Sequence, residues 1–251
     1  MPDVKYLHAE TSGLELILTT SRAKRHYPWH LHVDHWTIGL VLSGSALIGV
    51  RPSFALPRQR VLREGESFVV RPHEVHSLTI SPKSSVAVLC LDAASPRTGA
   101  RTFLRATHDA LAPRHAARLA RLATTIAAHP ATAGTPPDQC TAAAAARAII
   151  PRLVGNSGEP LSISEMAALA GFSRWHFLRS FRAETGMTPH AYQLACRVSC
   201  ARRLLRKNAT VADAAATTGF TDQSHFHKHF KQHHGLTPRQ FLRNNIKLVP
   251  Q

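Results

Sequence analysis

The chain has 251 residues and a formal charge of +16, long enough for two domains that each bury a core. No apolar run reaches 18 residues, which excludes a membrane-spanning helix, and Met1-Pro2-Asp3-Val4-Lys5 leads into no hydrophobic signal region, so the expected location is the cytoplasm. Residues 146–251 hold 15 Lys/Arg against 5 Asp/Glu and residues 1–145 hold 16 against 10, so the positive excess concentrates in the second half, where a polyanion would bind.

Residues 10 to about 92 read as strands. Leu14–Leu18, Trp36–Leu42, Ala46–Val50, Ser67–Val70 and Ser85–Leu89 are short, apolar or β-branched, and separated by Gly, Pro and charged turns. That spacing predicts an antiparallel barrel or sandwich. From 97 to 128 the period changes: Phe103, Leu104, Leu111, Leu119, Leu122 and Ile126 recur at helical spacing. The stripe of Leu111, Leu119, Leu122 and Ile126 has two readings, a dimer interface or packing onto the chain's own barrel. Residues 131–137 are a Pro/Gly/Thr linker, and the Ala-rich helix 142–154 is expected to be interrupted or to end near Pro151.

Cysteine is sparse: Cys90, Cys140, Cys196 and Cys200, with no Cys-x-x-Cys to suggest a zinc knuckle. Cys196 and Cys200 are four apart on a predicted helix, either packed as small hydrophobes or placed to bind a soft metal or respond to oxidation.

The last hundred residues repeat themselves. Gly171-Phe172-Ser173, His176-Phe177, Phe181, Gly186, Thr188-Pro189 and Tyr192 recur as Gly219-Phe220-Thr221, His225-Phe226, Phe230, Gly235, Thr237-Pro238 and Phe241. The offset is 48 at the Gly-Phe pair and 49 from His-Phe onward, so one residue is inserted after the second Gly-Phe. Ser162 and Glu165 form a capping-box pattern that returns as Thr210 and Asp213. Met166 and Leu169 are expected to face inward. Each copy is two helices around a tight Gly turn, which points to paired helix-turn-helix modules and to double-stranded DNA.

These residues resemble the AraC/XylS family of bacterial transcription regulators over about residues 145–246. The resemblance implies an α+β chain: an N-terminal antiparallel β-barrel (cupin-like) with linker helices, then an all-α domain with two helix-turn-helix motifs. The expected boundaries are 10–95 for an effector-binding barrel, 97–144 for a helical linker or dimerisation segment, and 145–246 for the DNA-binding domain. A helix from 189 to about 207, roughly 28 Å at 1.5 Å per residue, would set two reading helices in successive major grooves. Carried over by position, the first reading helix spans Ser173–Phe181, with Arg174, Trp175, Leu178 and Arg179 toward the groove. Arg179 suits guanine and Trp175 a thymine methyl. The second spans Thr221–Phe230, with Asp222, Gln223, Ser224, His227 and Lys228 outward. Gln223 suits adenine, and Lys228 guanine or phosphate. Ser173, Thr221, Arg182, Lys231 and Arg239 are expected on the DNA backbone.

The first half resembles the cupin-type sensor of the same family, through His30-Leu31-His32, Gly44, Gly65, Pro72 and His76. The resemblance implies a metal triad of His30, His32 and His76, with the first two sharing a strand face. The usual acidic slot holds Trp36 or Thr37, leaving a three-His site that His35 or His73 would assist; three imidazoles suit Zn, Fe, Ni or Cu. The competing reading is an organic effector pocket of the same histidines with Tyr27, Trp29, His35 and Trp36.

Three functions follow. The leading one is an effector-controlled regulator, not an enzyme, probing DNA as a homodimer, activating through RNA polymerase, and using no membrane. The second is a cupin metalloenzyme or metal sensor fused to a DNA-binding tail. The third is an alkyl-transfer repair regulator, disfavoured because its chemistry needs a zinc-clustered Cys near the N-terminus and the first Cys is Cys90.

Overall fold

The computed structural model describes residues 3–8, 14–51, 56–92, 110–128, 142–155, 159–243 and 245–247. The first half forms two sheets, antiparallel apart from one C-terminal strand added in parallel at an edge. One has the order β10-β1-β2-β9-β4-β7 and contains β1 (Asp3–His8), β2 (Leu14–Ser21), β4 (His35–Ser43), β7 (Ser67–Val70), β9 (Ser84–Asp92) and β10 (Asn245–Lys247). The other has the order β3-β8-β5-β6 and contains β3 (Arg25–His30), β5 (Ser45–Arg51), β6 (Arg58–Arg63) and β8 (Val75–Ile80). Val41, Ala46, Ile48, Leu62, Phe68, Leu78 and Ile80 fill the space between them.

The outer face of the larger sheet is covered by α1 (Pro113–Ala128). Leu111, Ala116, Leu119, Ala120 and Ala123 bury against Leu14, Leu16, Trp36, Ile38 and Leu40, with Leu122 and Ile126 half-buried beside them. Thus the apolar stripe packs on its own barrel, the second of its two readings. Phe103 and Leu104 lie outside the described residues, as do Cys140 and the linker 131–137.

Seven described helices follow: α2 (Ala142–Gly155), α3 (Ile163–Leu169), α4 (Arg174–Thr185), α5 (Pro189–Arg206), α6 (Val211–Thr217), α7 (Gln223–His234) and α8 (Pro238–Arg243). Pro151 does not end α2, which runs through it. The long α5 joins two pseudo-equivalent halves. The core of the first half contains Ile149, Leu153, Met166, Phe177, Phe181 and Tyr192, and that of the second Val198, Ala201, Leu205, Phe226, Phe230 and Phe241. Each fully buried Phe is worth roughly 1.5–3 kcal/mol of transfer free energy. Leu169 does not join its core and is 46% exposed.

Neither helical core is closed on itself. Leu31, Val33 and Val75 from the barrel complete the first, and Val4 and Tyr6 from β1 complete the second. Tyr6 lies tilted against Phe241 at 4.6 Å between ring centroids. Beyond α8, β10 pairs in parallel with β1 through Tyr6↔Asn245 and Leu7↔Ile246. The larger sheet therefore begins before residue 10 and ends after residue 244, so the two halves share their edges.

Candidate functional site

Local chemistry places the two reading helices. Ser162 caps α3 in a full capping box with Glu165. Gly171 takes φ +69° in the turn, and Ser173 then caps α4 by accepting from the His176 N–H. Thr188 caps α5, whose first residue is Pro189. The second copy repeats these steps through Thr210, Gly219 and Thr237. The inserted residue changes one of them. Asp222, not Thr221, is the cap of α7, and its carboxylate accepts from the Ser224 and His225 N–H groups. Those two bonds hold its pKa below the usual carboxylate range. Asp222, expected among the outward-facing positions, is exposed and caps its own helix.

Arg174, Trp175, Arg179 and Arg182 are exposed on α4, Trp175 at 78%, while Leu178 is half-buried. Gln223, Ser224, Lys228 and Lys231 are exposed on α7, with His227 half-buried, and Ser173, Thr221 and Arg239 are exposed beside the helix starts. Phe177 and Phe181, like Phe226 and Phe230, fix the opposite faces in the core. Each reading helix therefore turns a cationic or amide-bearing face outward.

A second feature lies between the domains. A cavity at the barrel mouth is lined by Tyr27, His30, His32, His35, Thr37, His76 and Cys90 from the barrel. Arg202 from α5 and His233 and His234 from the last turn of α7 close it. The nitrogen ligand atoms of His30, His32 and His76 all lie within 4.8 Å of one another. Their ring centroids are 5.0 Å apart for His30 and His32, 4.3 Å for His30 and His76, and 5.2 Å for His32 and His76. Nδ1 of His30 bonds the Pro28 carbonyl at 2.7 Å, and Nδ1 of His76 bonds that of Glu74 at 3.0 Å.

Burial dominates the protonation of these rings. It pushes His30 down to about 4 and His233 to about 3, and pushes His32, His76 and His234 well below the ordinary imidazole value. His35 differs: burial opposes its charge, but Cys90 and Asp34 beside it raise it to about 10. Five neutral imidazoles with free lone pairs fit a transition metal. The clustered ligands are imidazoles: among the described residues no carboxylate lines the cavity, where Thr37 stands, and Asp34 bonds His35 at 2.7 Å.

Three expectations about this site need correction. Trp36 buries under α1 in the outer core, away from the cavity. Trp29 turns toward the first helical core and stacks under the Arg51 guanidinium at 4.9 Å. His32 does not share a strand face with His30, because β3 ends at His30; within β3 the register shifts between Tyr27 and His30. Pro28 sits in that interval and has no N–H for the ladder. Arg202, His233 and His234 had no role assigned. His234 follows Phe226 and Phe230 at spacings of four, which marks a buried face, but nothing local says that the barrel covers it.

A buried charge network crosses the same boundary. Glu15 of β2 accepts from Arg202 and forms an ion pair with Arg206 at 2.9 Å, and Arg202 lies 3.8 Å from Asp34. Glu15 and Arg202 are both almost fully buried.

Residues 166–244 match a family model described as a helix-turn-helix domain. An uncharacterised HTH-type transcriptional regulator, YbfI of Bacillus subtilis (strain 168), is 41% identical over 67 residues, covering 27% of this chain and 24% of that protein. Transcriptional regulator Rob of Salmonella typhimurium is 36% identical over 94 residues, covering 37% and 32%. The bifunctional transcriptional activator/DNA repair enzyme Ada of Escherichia coli (strain K12) is 34% identical over 90 residues, covering 36% and 25%. The chain thus spans only about a quarter to a third of the curated relatives it matches. Across nearly its whole length the fold is similar to that of ToxT K231A from Vibrio cholerae strain SCE256, with TM-score 0.56 and 12% identity over 94% of this chain and 99% of that one.

Proposed function

We propose that this chain is a regulator of the AraC/XylS type, which controls transcription by binding double-stranded DNA through its paired helix-turn-helix domain under control of a small effector in the interdomain cavity. The observation that carries this reading is the position of α7. One end presents Gln223 and Ser224 to solvent, and the other places His233 and His234 on the cavity. A ligand with different affinity for two positions of that helix would shift the reading head.

Binding is favoured over catalysis by the unfilled acidic slot, with Thr37 on the cavity, and by the cysteines. Burial pushes the Cys196 thiol up to about 12, the reverse of an activated nucleophile. Activation would proceed through RNA polymerase. A homodimer would use a surface other than the α1 stripe, which the barrel covers. In the described residues no helix is long and apolar enough to cross a membrane.

The test is selection of duplexes by the full chain from a random pool, followed by footprinting. Two protected major grooves on one face are expected, with log K falling against log salt by about 0.9 per phosphate neutralised. A chain that selects no sequence at low salt sinks the reading.

A further inference from the structure

Three imidazoles on the cavity are anchored alike. His30 and His76 bond backbone carbonyls through Nδ1, and His233 makes a backbone bond at Leu31. In a neutral ring one nitrogen donates and the other keeps its lone pair. Outer bonds of this kind orient metal-bound histidines and set their tautomer. His32 adds a different sign: among the described residues its buried Nδ1 has no hydrogen-bond partner, and neither has Nε2 of His234. Leaving such a nitrogen dry is unfavourable.

The spacing agrees. Two imidazoles on one tetrahedral ion, with bonds of about 2.0–2.1 Å, have ring centroids about 5 Å apart. The triad stands at 4.3, 5.0 and 5.2 Å, and His233 at 5.6 Å from His30, at the rim of the group. Arg202 and His35 also face the cavity, and Glu15 and Asp34 beside them supply compensating charge.

We propose that a divalent transition metal ion bridges the two domains, held by His30, His32 and His76 from the barrel and by His233 from the last turn of α7. This rests on the effector-cavity reading and names the effector class. A neutral four-imidazole set selects zinc, cobalt, nickel or copper over magnesium or calcium. Because one ligand rides on the second reading helix, occupancy ties that helix to the barrel.

The full chain, purified without an affinity tag, is titrated with Zn²⁺ for stoichiometry and with Co²⁺ for its visible absorption. One ion per chain and a four-coordinate Co²⁺ spectrum are expected, with His233→Ala weakening Zn²⁺ by at least the roughly 10- to 100-fold that loss of an outer-shell partner costs. Zn²⁺ should slow amide exchange across residues 223–234 in the unmodified chain, a readout that needs no variant, and should not do so in His233→Ala. An affinity unchanged in His233→Ala, or lost in His234→Ala instead, overturns the bridge. A chain that footprints its selected duplex but takes up neither ion overturns the metal and leaves the effector reading standing. Stoichiometric metal that leaves both exchange and footprint unmoved overturns the coupling and the effector reading together.

Discussion

Arg51 of β5 donates from Nη1 to the carbonyl oxygen of Gly186 at 2.9 Å. Arg25 of β3 donates in the same way to Gly235. The two glycines are equivalent positions of the internal repeat, each ending a reading helix in the left-handed conformation at φ +77° and +74°. A Cβ at Gly186 would lie 2.5 Å from Cδ of Arg51, and one at Gly235 would lie 2.6 Å from the Tyr27 hydroxyl. Each arginine also stacks on a β3 aromatic, Arg51 on Trp29 at 4.9 Å and Arg25 on Tyr27 at 5.1 Å. The barrel therefore grips both reading helices at the ends where helix dipoles favour a cation.

Arg51→Ala and Arg25→Ala should each loosen one helix. A charge-assisted bond to a carbonyl contributes about 1.5–3 kcal/mol, and the two losses should add because they share no partner. Amide exchange checks it: Arg51→Ala should open residues near 186, and Arg25→Ala residues near 235. Identical opening of both segments by either variant would mean that the grips are not separate.

The reading heads should also separate by base. Arg179→Ala and Gln223→Ala should each cost roughly 1–3 kcal/mol of discrimination, at one groove only and at different base pairs. Selection from random duplexes by each variant decides this, and one shared pattern of relaxed positions would argue against two heads.

What the residues revealed follows the range of the forces involved. Caps at Ser162, Ser173, Thr188 and Thr210 are local bonds within three residues, so the repeat displays them. The displaced cap at Asp222 is a one-residue insertion whose effect depends on which of two side chains reaches the free N–H groups. Trp29 and Trp36 stand close to the histidines along the chain, but closeness in sequence does not say which face a side chain takes: Trp29 turns to the first helical core and Trp36 to the core under α1. The docking of α7 on the barrel had no local signature at all. Periodicity marks His234 as buried, but the partner comes from residues some 200 positions earlier.

The Glu15–Arg202 pair gives a stability prediction. Removing one partner of a buried, bonded ion pair costs about 3–5 kcal/mol, since the other charge is left uncompensated. Arg202→Met should therefore lower Tm strongly. Glu15→Leu/Arg202→Met, which removes both charges, should recover much of that loss, although Arg206 then loses its partner too. A double variant no more stable than Arg202→Met would show that the pair is not the main interaction of either side chain.

The last prediction concerns α1. Leu119 is fully buried against the β2, β4 and β9 face, with Trp36 in the same core, so a charge there faces apolar side chains. Burying an ionised carboxylate without a partner is costly enough that the sheet and helix must part. Leu119→Glu should thus unfold or detach α1, at a cost above the 2–5 kcal/mol typical of a buried Leu→Ala change. Leu122, half-buried at the edge of the same helix, can turn a carboxylate toward water, so Leu122→Glu should cost less. Thermal unfolding and sedimentation of both variants separate this from an interface role. A Leu119→Glu chain that keeps its Tm but changes from dimer to monomer would restore the helix as a dimer contact and remove it from the barrel core.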